Sequence, residues 1–433
     1  MSDKALRLGI AGLGTVGVGV VQIIQKHGEL LAARTGRELV VTAVSARDAG
    51  KDRGVDCSDY DWVDDPLELA QRADVDVVVE LIGGSEGIAY DLVRDALTNG
   101  KSVVTANKAL LAHHGAELAE IAENKGVSLC YEAAVAGGIP IVKAMRESLM
   151  GNEISAVYGI LNGTSNYILS EMRIGGRGFG DVLKDAQAKG YAEADPAFDI
   201  DGTDAGHKLA LLAAIAFGVK PDFCAVETTG IAHLLLEDIQ FAEELGYRIK
   251  LLGIAQRVDG GAVVQSVEPC LVPRSSPLWA IEDVYNAVYV DCDAVETPFF
   301  SGRGAGRMPT ASSVMGDVVD LARGLKVPVF GMPVTHLDAM GHLTIDRVKS
   351  RFYLRLNVVD EPGVMASVTS ILRDLDVSIE SMVQRGRDPG EAVHVVLKTH
   401  KALTGDMRKA VAQIAALDIS TEKPCLIRIE DDL

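Results

Sequence analysis

The chain has 433 residues, enough for two or three domains that each bury a core of their own. Hydrophobic residues make up 48% and charged residues 24%, which is the balance of a globular protein and excludes a disordered or collagenous chain. Acidic residues outnumber basic ones by 61 to 42, and a net charge of -19 repels a phosphate backbone, so no nucleic-acid partner is expected.

At the start, Met1 to Gly9 lacks the cationic and then apolar stretch of a signal peptide, and no apolar run in the chain reaches the roughly 20 residues that span a bilayer. No membrane partner is expected. Leu6 to Ala11 reads as a strand and Val16 to Leu31, by its apolar spacing, as a helix. Between them stands Gly12-Leu13-Gly14-Thr15-Val16-Gly17, a G-x-G-x-x-G. The first glycine permits a tight turn, the second lets backbone approach a pyrophosphate, and the third lets the helix pack on the strand. The N-terminus of the helix then faces the phosphates.

Taken alone, such a turn also joins strand to helix with no ligand. Here further strands at Leu39–Ser45, Val75–Leu81, Ser102–Thr105 and Ser128–Glu132 alternate with helical stretches, which predicts a doubly wound parallel sheet over residues 1–150. After the second strand, where NAD-binding proteins carry an acidic residue for the ribose, this chain has Ser45-Ala46-Arg47, with Lys51 and Arg53 close behind. Arg47 suits a 2′-phosphate and favours NADP(H). NAD(H) stays open, because Asp48 is adjacent and loop arginines are often simply solvated.

From Gly151 the pattern changes. Ile154 to Leu161 reads as a strand, and Asn162-Gly163-Thr164-Ser165-Asn166 as a polar turn into a helix over Tyr167 to Met172, equally a ligand loop or a bare N-cap. Next, Glu193, Asp195, Asp199, Asp201 and Asp204 crowd twelve residues, and Ala205 to Phe217 is a strong helix closed by Gly218. Asp204 and Lys208 lie four apart on one helix face, so the carboxylate can hold the ammonium beside a ligand. By spacing alone, the same pair is an ordinary solvated ion pair at a helix start. D-x-D-G opens a calcium loop, but the Glu needed six residues after the glycine is Lys208, so calcium is discarded. The six cysteines are scattered with no C-x-x-C pair, which fits reduced thiols in a cytoplasm.

The segment Ala186-Gln187-Ala188-Lys189-Gly190-Tyr191 through Asp195-Pro196, Asp199-Ile200-Asp201-Gly202, Asp204 and Lys208 resembles the signature of homoserine dehydrogenases. The opening glycine turn, Thr105-Ala106-Asn107-Lys108, Glu132 to Pro140 and Asn162 to Tyr167 follow in the family's order, so the resemblance spans nearly the whole chain. It implies reversible reduction of aspartate 4-semialdehyde to homoserine with NADPH or NADH, on the route from aspartate to threonine and methionine.

The resemblance also implies residue roles. Glu193 and Asp204 hold the substrate's amino and hydroxyl end, with Tyr191, Asp199, Gly163 and Thr164 around it. Lys208 and Lys108 are the catalytic candidates. Hydride delivery to an aldehyde builds negative charge on oxygen, which a lysine stabilises and protonates. The reading favours Lys208 as proton carrier and Lys108 as the group that orients and polarises; a lysine merely capping a strand end is the alternative for Lys108. Gly12, Gly14, Thr15, Val16, Gly17, Arg47, Thr105, Lys108, Gly190 and Gly306 are implied around the cofactor. A monovalent cation, sodium, is implied on the Glu132 carboxylate and the carbonyls of Val135, Gly137 and Ile139, an oxygen-only set that suits a hard cation. Gly302-Arg303-Gly304-Ala305-Gly306 is a second glycine-rich turn, and the helix that follows, Thr310 to Ala322, is implied to return to the cofactor. Arg303 and Arg307 stand where the family has small residues.

After a linker at Gly341–Ser350, the strand Arg351–Val359, helix Val364–Leu375, strands Val377–Arg385 and Ala392–Thr399, helix Thr404–Leu417 and strand Pro424–Ile429 predict β-α-β-β-α-β. This resembles an ACT domain, which senses amino acids beside a turn such as Asp360-Glu361-Pro362-Gly363. Threonine is the implied effector; a dimerisation appendage with no ligand is the alternative. The expected organisation is a nucleotide-binding domain at 1–150 completed by about 307–340, an α+β substrate and dimerisation domain at 151–306, and the ACT domain at 350–433, assembled as a homodimer or homotetramer. No kinase domain is expected upstream, since the nucleotide-binding strand begins at once. A non-catalytic nucleotide and amino-acid sensor has no use for Lys208, Asp204, Glu193 and Lys108 together, and a dehydrogenase for a related semialdehyde lacks the Ala186 to Lys208 match.

Overall fold

The computed structural model describes residues 4–193, 195–258, 261–339, 343–385, 391–431 and 433. Ala194 in the Gly190–Pro196 segment, Gly341 at the head of the linker and Met1 to Asp3 lie outside the described residues. The chain divides into two compact units: Met1–Leu161, Gly206–Val226 and Tyr285–Gly341 in one, Asn162–Ala205, Glu227–Val284 and His342–Leu433 in the other.

In chain order the first elements are β1 (Leu6–Ala11), α1 (Thr15–Thr35), β2 (Leu39–Ser45), β3 (Asp61–Trp62), β4 (Val77–Glu80) and α2 (Ile88–Thr98). β5 (Ser102–Thr105), α3 (Lys108–Lys125), β6 (Leu129–Cys130), α4 (Ile141–Lys143) and β7 (Ile154–Ile160) follow. Then come α5 (Gly163–Gly175), α6 (Phe179–Ala188), α7 (Ala197–Ile200), α8 (Thr203–Phe217), β8 (Val226–Thr228) and α9 (Leu236–Glu244). β9 (Tyr247–Arg257), β10 (Val263–Pro273), β11 (Tyr285–Cys292), β12 (Phe299–Arg303) and α10 (Arg307–Arg323) lead to the C-terminal stretch. That stretch is β13 (Lys349–Val359), α11 (Val364–Asp374), β14 (Ile379–Gln384), β15 (Ala392–Thr399), β16 (Ala402–Leu403), α12 (Thr404–Ala415) and β17 (Cys425–Ile429).

In the first unit, six parallel strands pair in the order β3-β2-β1-β4-β5-β6. The chain's direction across the sheet reverses between β1 and β4, and open parallel sheets take their ligands outside the strand ends at that point. All four residues of β4 are buried, as a strand covered by helices on both faces must be. The strand expected over Ser128–Glu132 is shorter, because Glu132 already opens a tight 3₁₀ turn. Helix α10 returns to this sheet: Ala311, Val314, Met315, Val318 and Ala322 share one core with residues of β1, β2 and α1. A Cβ on Gly19 of α1 would stand 2.9 Å from the Ala311 methyl, so the missing side chain sets how closely the two helices approach. β7, β11 and β12 form a separate antiparallel run.

In the second unit, β9 and β10 pair antiparallel along their whole length. β17 lies parallel to β10 and antiparallel to β13, and β15 and β14 continue the sheet. Val368 and Leu372 of α11 and Met407, Ala410 and Ile414 of α12 bury against Phe352, Leu354 and Leu356 of β13, closing the β-α-β-β-α-β layer. Helix α8 is buried at every position from Asp204 to Ile215, its polar Asp204, His207 and Lys208 included.

Candidate active site

Backbone crowding shapes the glycine turn after β1. Gly12 has φ +103°, and a Cβ there would stand 2.5 Å from Leu81 O; one on Gly17 would stand 2.0 Å from Gly12 O. Around Gly14 nothing lies within 4 Å of such an atom, so that stretch of backbone is open to a ligand. Helix α1 begins at Thr15 with no side-chain cap, and the first hydrogen bond back into the turn is Val18 N to Gly14 O. The N–H groups of Thr15, Val16 and Gly17 therefore have no acceptor within the helix, an arrangement that suits a phosphate. An uncapped helix start at the reversal point and an open glycine cradle fit a dinucleotide. Helix α10 likewise starts without a side-chain cap, after Gly306 at φ +117°.

Behind the turn, Arg47 is exposed, whereas Arg53 is engaged. Its Nε donates to Leu13 O at 3.3 Å and its Nη1 to Lys51 O at 2.8 Å, Nη2 reaches Asp48 O, and the guanidinium lies over the Trp62 ring. Arg53 staples the loop, and Arg47 and Lys51 are exposed. At the end of β4, Glu80 is fully buried. Burial pushes its carboxyl up, against the donors Thr105 Oγ1 at 2.6 Å, Ile82 N at 2.7 Å and Gly83 N at 3.2 Å. The Thr105 hydroxyl thus serves Glu80, and it accepts from Asn107 N at 3.0 Å. Asn107 caps α3 through Leu110 N and also donates to Gly84 O, so Lys108 is the first residue of a capped helix rather than a lysine capping a strand end.

The second unit gathers the other candidates. Asn162 caps α5 by accepting from Ser165 N at 2.8 Å, which is the bare N-cap reading, and its amide does more. Nδ2 donates to Asp199 Oδ1 at 2.7 Å and to Asp204 Oδ2 at 2.8 Å, holding two carboxylates on one neutral group. Ser165 Oγ donates to Asp199 O, and Thr164 Oγ1 to Tyr191 O, both at 2.8 Å, so α5 fixes both the Asp199 and the Tyr191 segments. The Tyr191 ring stands edge-on to Tyr167, whose hydroxyl takes Lys189 Nζ at 2.8 Å. Gly190 turns the chain at φ +74°, and Glu193 is exposed.

Asp204 and Lys208, one turn apart on α8, are 6% and 8% exposed, so they are not a solvated surface pair. Lys208 Nζ donates to Leu161 O at 2.6 Å. A buried lysine and a buried aspartate, with the buried His207 between them, are costly to keep on a largely apolar helix without a function.

Glu132 is 2% exposed and faces the start of α4, where its two carboxylate oxygens accept from Val142 N at 2.9 Å and Lys143 N at 2.8 Å. Burial and the charge of Asp317, itself 1% exposed and bonded to Glu132 N, push its carboxyl up to about 7. Gly137 O accepts from Ser313 Oγ and Ile139 O from Ile141 N, and Val135 is buried beside them. Gly137 O and Ile139 O each accept one bond here and have a second lone pair, and an oxygen-only set is the chemistry a small hard cation takes. Among the described residues no group of three His, Cys, Asp or Glu forms a metal site. Glu80, Asp317 and the bridging role of Asn162 were not anticipated from sequence, since their partners lie far along the chain.

Three comparisons bear on this geometry. The family model described as "Homoserine dehydrogenase" matches residues 140–319, "Homoserine dehydrogenase, NAD binding domain" matches 12–132, and the ACT domain matches 352–418. The homoserine dehydrogenase of Neisseria gonorrhoeae is 44% identical over 99% of both chains, and that of Pseudomonas aeruginosa is 43% identical at the same coverage. The chain belongs to the homoserine dehydrogenase family. It is an oxidoreductase of that family, with a nicotinamide-binding domain and a C-terminal ACT domain. The crystal structure of a homoserine dehydrogenase from Thiobacillus denitrificans superposes with a TM-score of 0.94 at 44% identity, over 100% of both chains. A hyperthermophilic archaeal homoserine dehydrogenase, solved in complex with NADPH, matches 75% of this chain and 99% of its own at 26% identity and a TM-score of 0.62. Among the described residues no helix is long and apolar enough to cross a membrane.

Proposed function

We propose that this chain reduces L-aspartate 4-semialdehyde to L-homoserine, reversibly, with NADPH preferred over NADH, on the cytoplasmic route to threonine and methionine. The observation that carries the reading is the buried Asp204 and Lys208 on α8, inside the segment that resembles the family signature. The nicotinamide, when bound, supplies the hydride. Negative charge then gathers on the former aldehyde oxygen, and Lys208 Nζ gives it the proton that completes the alcohol. In the oxidative direction the same amine takes that proton back. Lys108 orients and polarises the carbonyl. Glu193 and Asp204 hold the substrate's amino and hydroxyl end, with Tyr191, Asp199, Gly163 and Thr164 around it.

On the cofactor side, Gly12, Gly14, Thr15, Val16 and Gly17 cradle the pyrophosphate, Arg47 takes the 2′-phosphate, and Thr105, Gly190 and Gly306 complete the contacts. Glu132 and the carbonyls of Val135, Gly137 and Ile139 would hold sodium. The domains run over 1–150 completed by 307–340, 151–306 and 350–433. The assembly is a homodimer or homotetramer, and threonine acts beside the Asp360–Gly363 turn.

The initial rate of NADPH oxidation with aspartate 4-semialdehyde, with and without threonine, tests this. Turnover that threonine suppresses supports the reaction and the effector; turnover indifferent to threonine removes the effector. No turnover by folded protein with either cofactor removes the reaction.

A further inference from the structure

Within the second unit a cavity of about 720 Å³ opens between the outer face of α12 and the seam where β17 joins β10. Its size is that of a small-molecule site. It contains none of the residues of the Asp360–Gly363 turn. Helix α12 is two-faced: Met407, Ala410 and Ile414 enter the core, and Arg408, Val411, Ala412 and Ala415 line the cavity.

The charged lining is unevenly satisfied. Arg408 is engaged by Glu227 and by Asp346 at 2.9 Å, and Arg428 by Glu430, with Glu268 at 3.7 Å. Arg355 is 3% exposed, and its Nε and Nη2 donate to Asp238 at 2.7 and 3.1 Å. Its third nitrogen, Nη1, has no hydrogen-bond partner and stands 3.8 Å from the half-exposed Glu422 carboxylate. Lys423, exposed, lines the same mouth. A buried guanidinium N–H left unmade is costly, and a ligand oxygen is the group that relieves it.

We infer that this cavity binds a small aliphatic carboxylate, its carboxylate on Arg355 Nη1 and Lys423 and its hydrocarbon part against Val411, Ala412 and Ala415. An ammonium next to the carboxylate would meet Glu422, so free carboxylates and α-amino acids share the chemistry. The cavity wall also reaches the acidic segment. Thr229, a lining residue, donates its N–H to Val267 O at 2.7 Å, and Ile231 N donates to Ile200 O at 3.0 Å. A Cβ on Gly230 would stand 2.4 Å from Ile200 O, and one on Gly202 2.9 Å from Val267, so the Asp199–Gly202 turn has no slack against the strand beside the cavity. Occupancy is therefore felt at Asp199; this coupling rests on Asp199's proposed place beside the substrate, whereas the binding does not.

The test is calorimetric titration of the full chain with isovalerate, L-valine and isoamylamine, in wild type and in Ala412→Trp and Lys423→Ala. Both changes fall at exposed positions, and circular dichroism and Tm check that each variant folds. Isovalerate and L-valine bind wild type and isoamylamine does not. Lys423→Ala weakens both acids about tenfold, the loss of one charge-assisted hydrogen bond, and Ala412→Trp abolishes binding. Lack of binding to wild type overturns the site, as does undiminished binding in folded Lys423→Ala or Ala412→Trp; amine binding equal to the acid overturns the carboxylate assignment. If Ala412→Trp does not fold, Lys423→Ala alone decides. Binding with an unchanged KM for aspartate 4-semialdehyde keeps the site and removes the coupling.

Discussion

Lys208 and Lys250 are both buried lysines that donate to a backbone carbonyl, and their neighbours differ. Lys250, in β9, is the deeper at 2% exposure. It donates to Ile281 O and to Asn166 Oδ1 at 3.2 Å, with Glu282 at 3.4 Å. Arg248 and Arg173 crowd the same Glu282, and the hollow beside them is about 10 Å³, space for one water at most. No carbonyl substrate reaches it. Lys208 sits one turn after Asp204 in the segment that resembles the family signature. Depth of burial therefore does not separate Lys250 from the lysine proposed to carry the proton; the neighbours do.

The sharpest way to break this contrast is to remove each amine. Lys208→Ala should lower kcat by about 10² to 10⁴, the usual worth of a general acid, while NADPH still binds by fluorescence titration. Lys250→Met should leave kcat within a few-fold, and equal losses would end the distinction.

The second prediction concerns pH. Burial lowers Lys250 from 10.5 to about 8, with Glu282 opposing. Between those values the unfolded chain holds a proton that the native lysine has released, so stability rises with pH from about 8 to 10.5. The rise is on the order of 3 kcal/mol, since releasing one proton is worth about 1.4 kcal/mol for every pH step of one. Urea titrations across that range should show it in wild type and not in Lys250→Met.

Third, Asn162→Ala removes two hydrogen bonds to carboxylates and should cost about 2 kcal/mol in urea unfolding, with a raised KM for the semialdehyde. An unchanged KM would detach Asp199 and Asp204 from the substrate. The smallest effect is at the surface: Arg47→Ala should weaken NADPH about tenfold and leave NADH alone, whereas an equal loss for both would refute the 2′-phosphate contact.

Much of the fold was legible because its elements are local. β1, β2, β5 and β15 have the bounds their apolar runs suggest, and Gly218 closes α8 as expected. β3 and β16 were not, since two residues carry no period, and β9 hid because it is buried on both faces and shows no alternation. The site was legible where a motif is contiguous and not where it is assembled. Asn162 read as a cap, which it is; its second amide bonds reach 37 and 42 residues onward. The reading of Asp204 and Lys208 as a solvated pair fails on a signal that was present: the run from Leu209 to Phe217 is apolar on all sides, so the helix that carries them has no wet face.

The place of β17 has a consequence for synthesis. This strand fits between β10 and β13, yet it is made about 150 residues after β10. Until it emerges from the ribosome, the Cys270–Leu271 stretch of β10 presents an unpaired backbone edge, and so does one side of β13, the two being finished together by one late piece. A chain stopped short of Cys425 would keep both edges raw and should be handled by the cell as an aggregation hazard, whatever the state of its nucleotide-binding half.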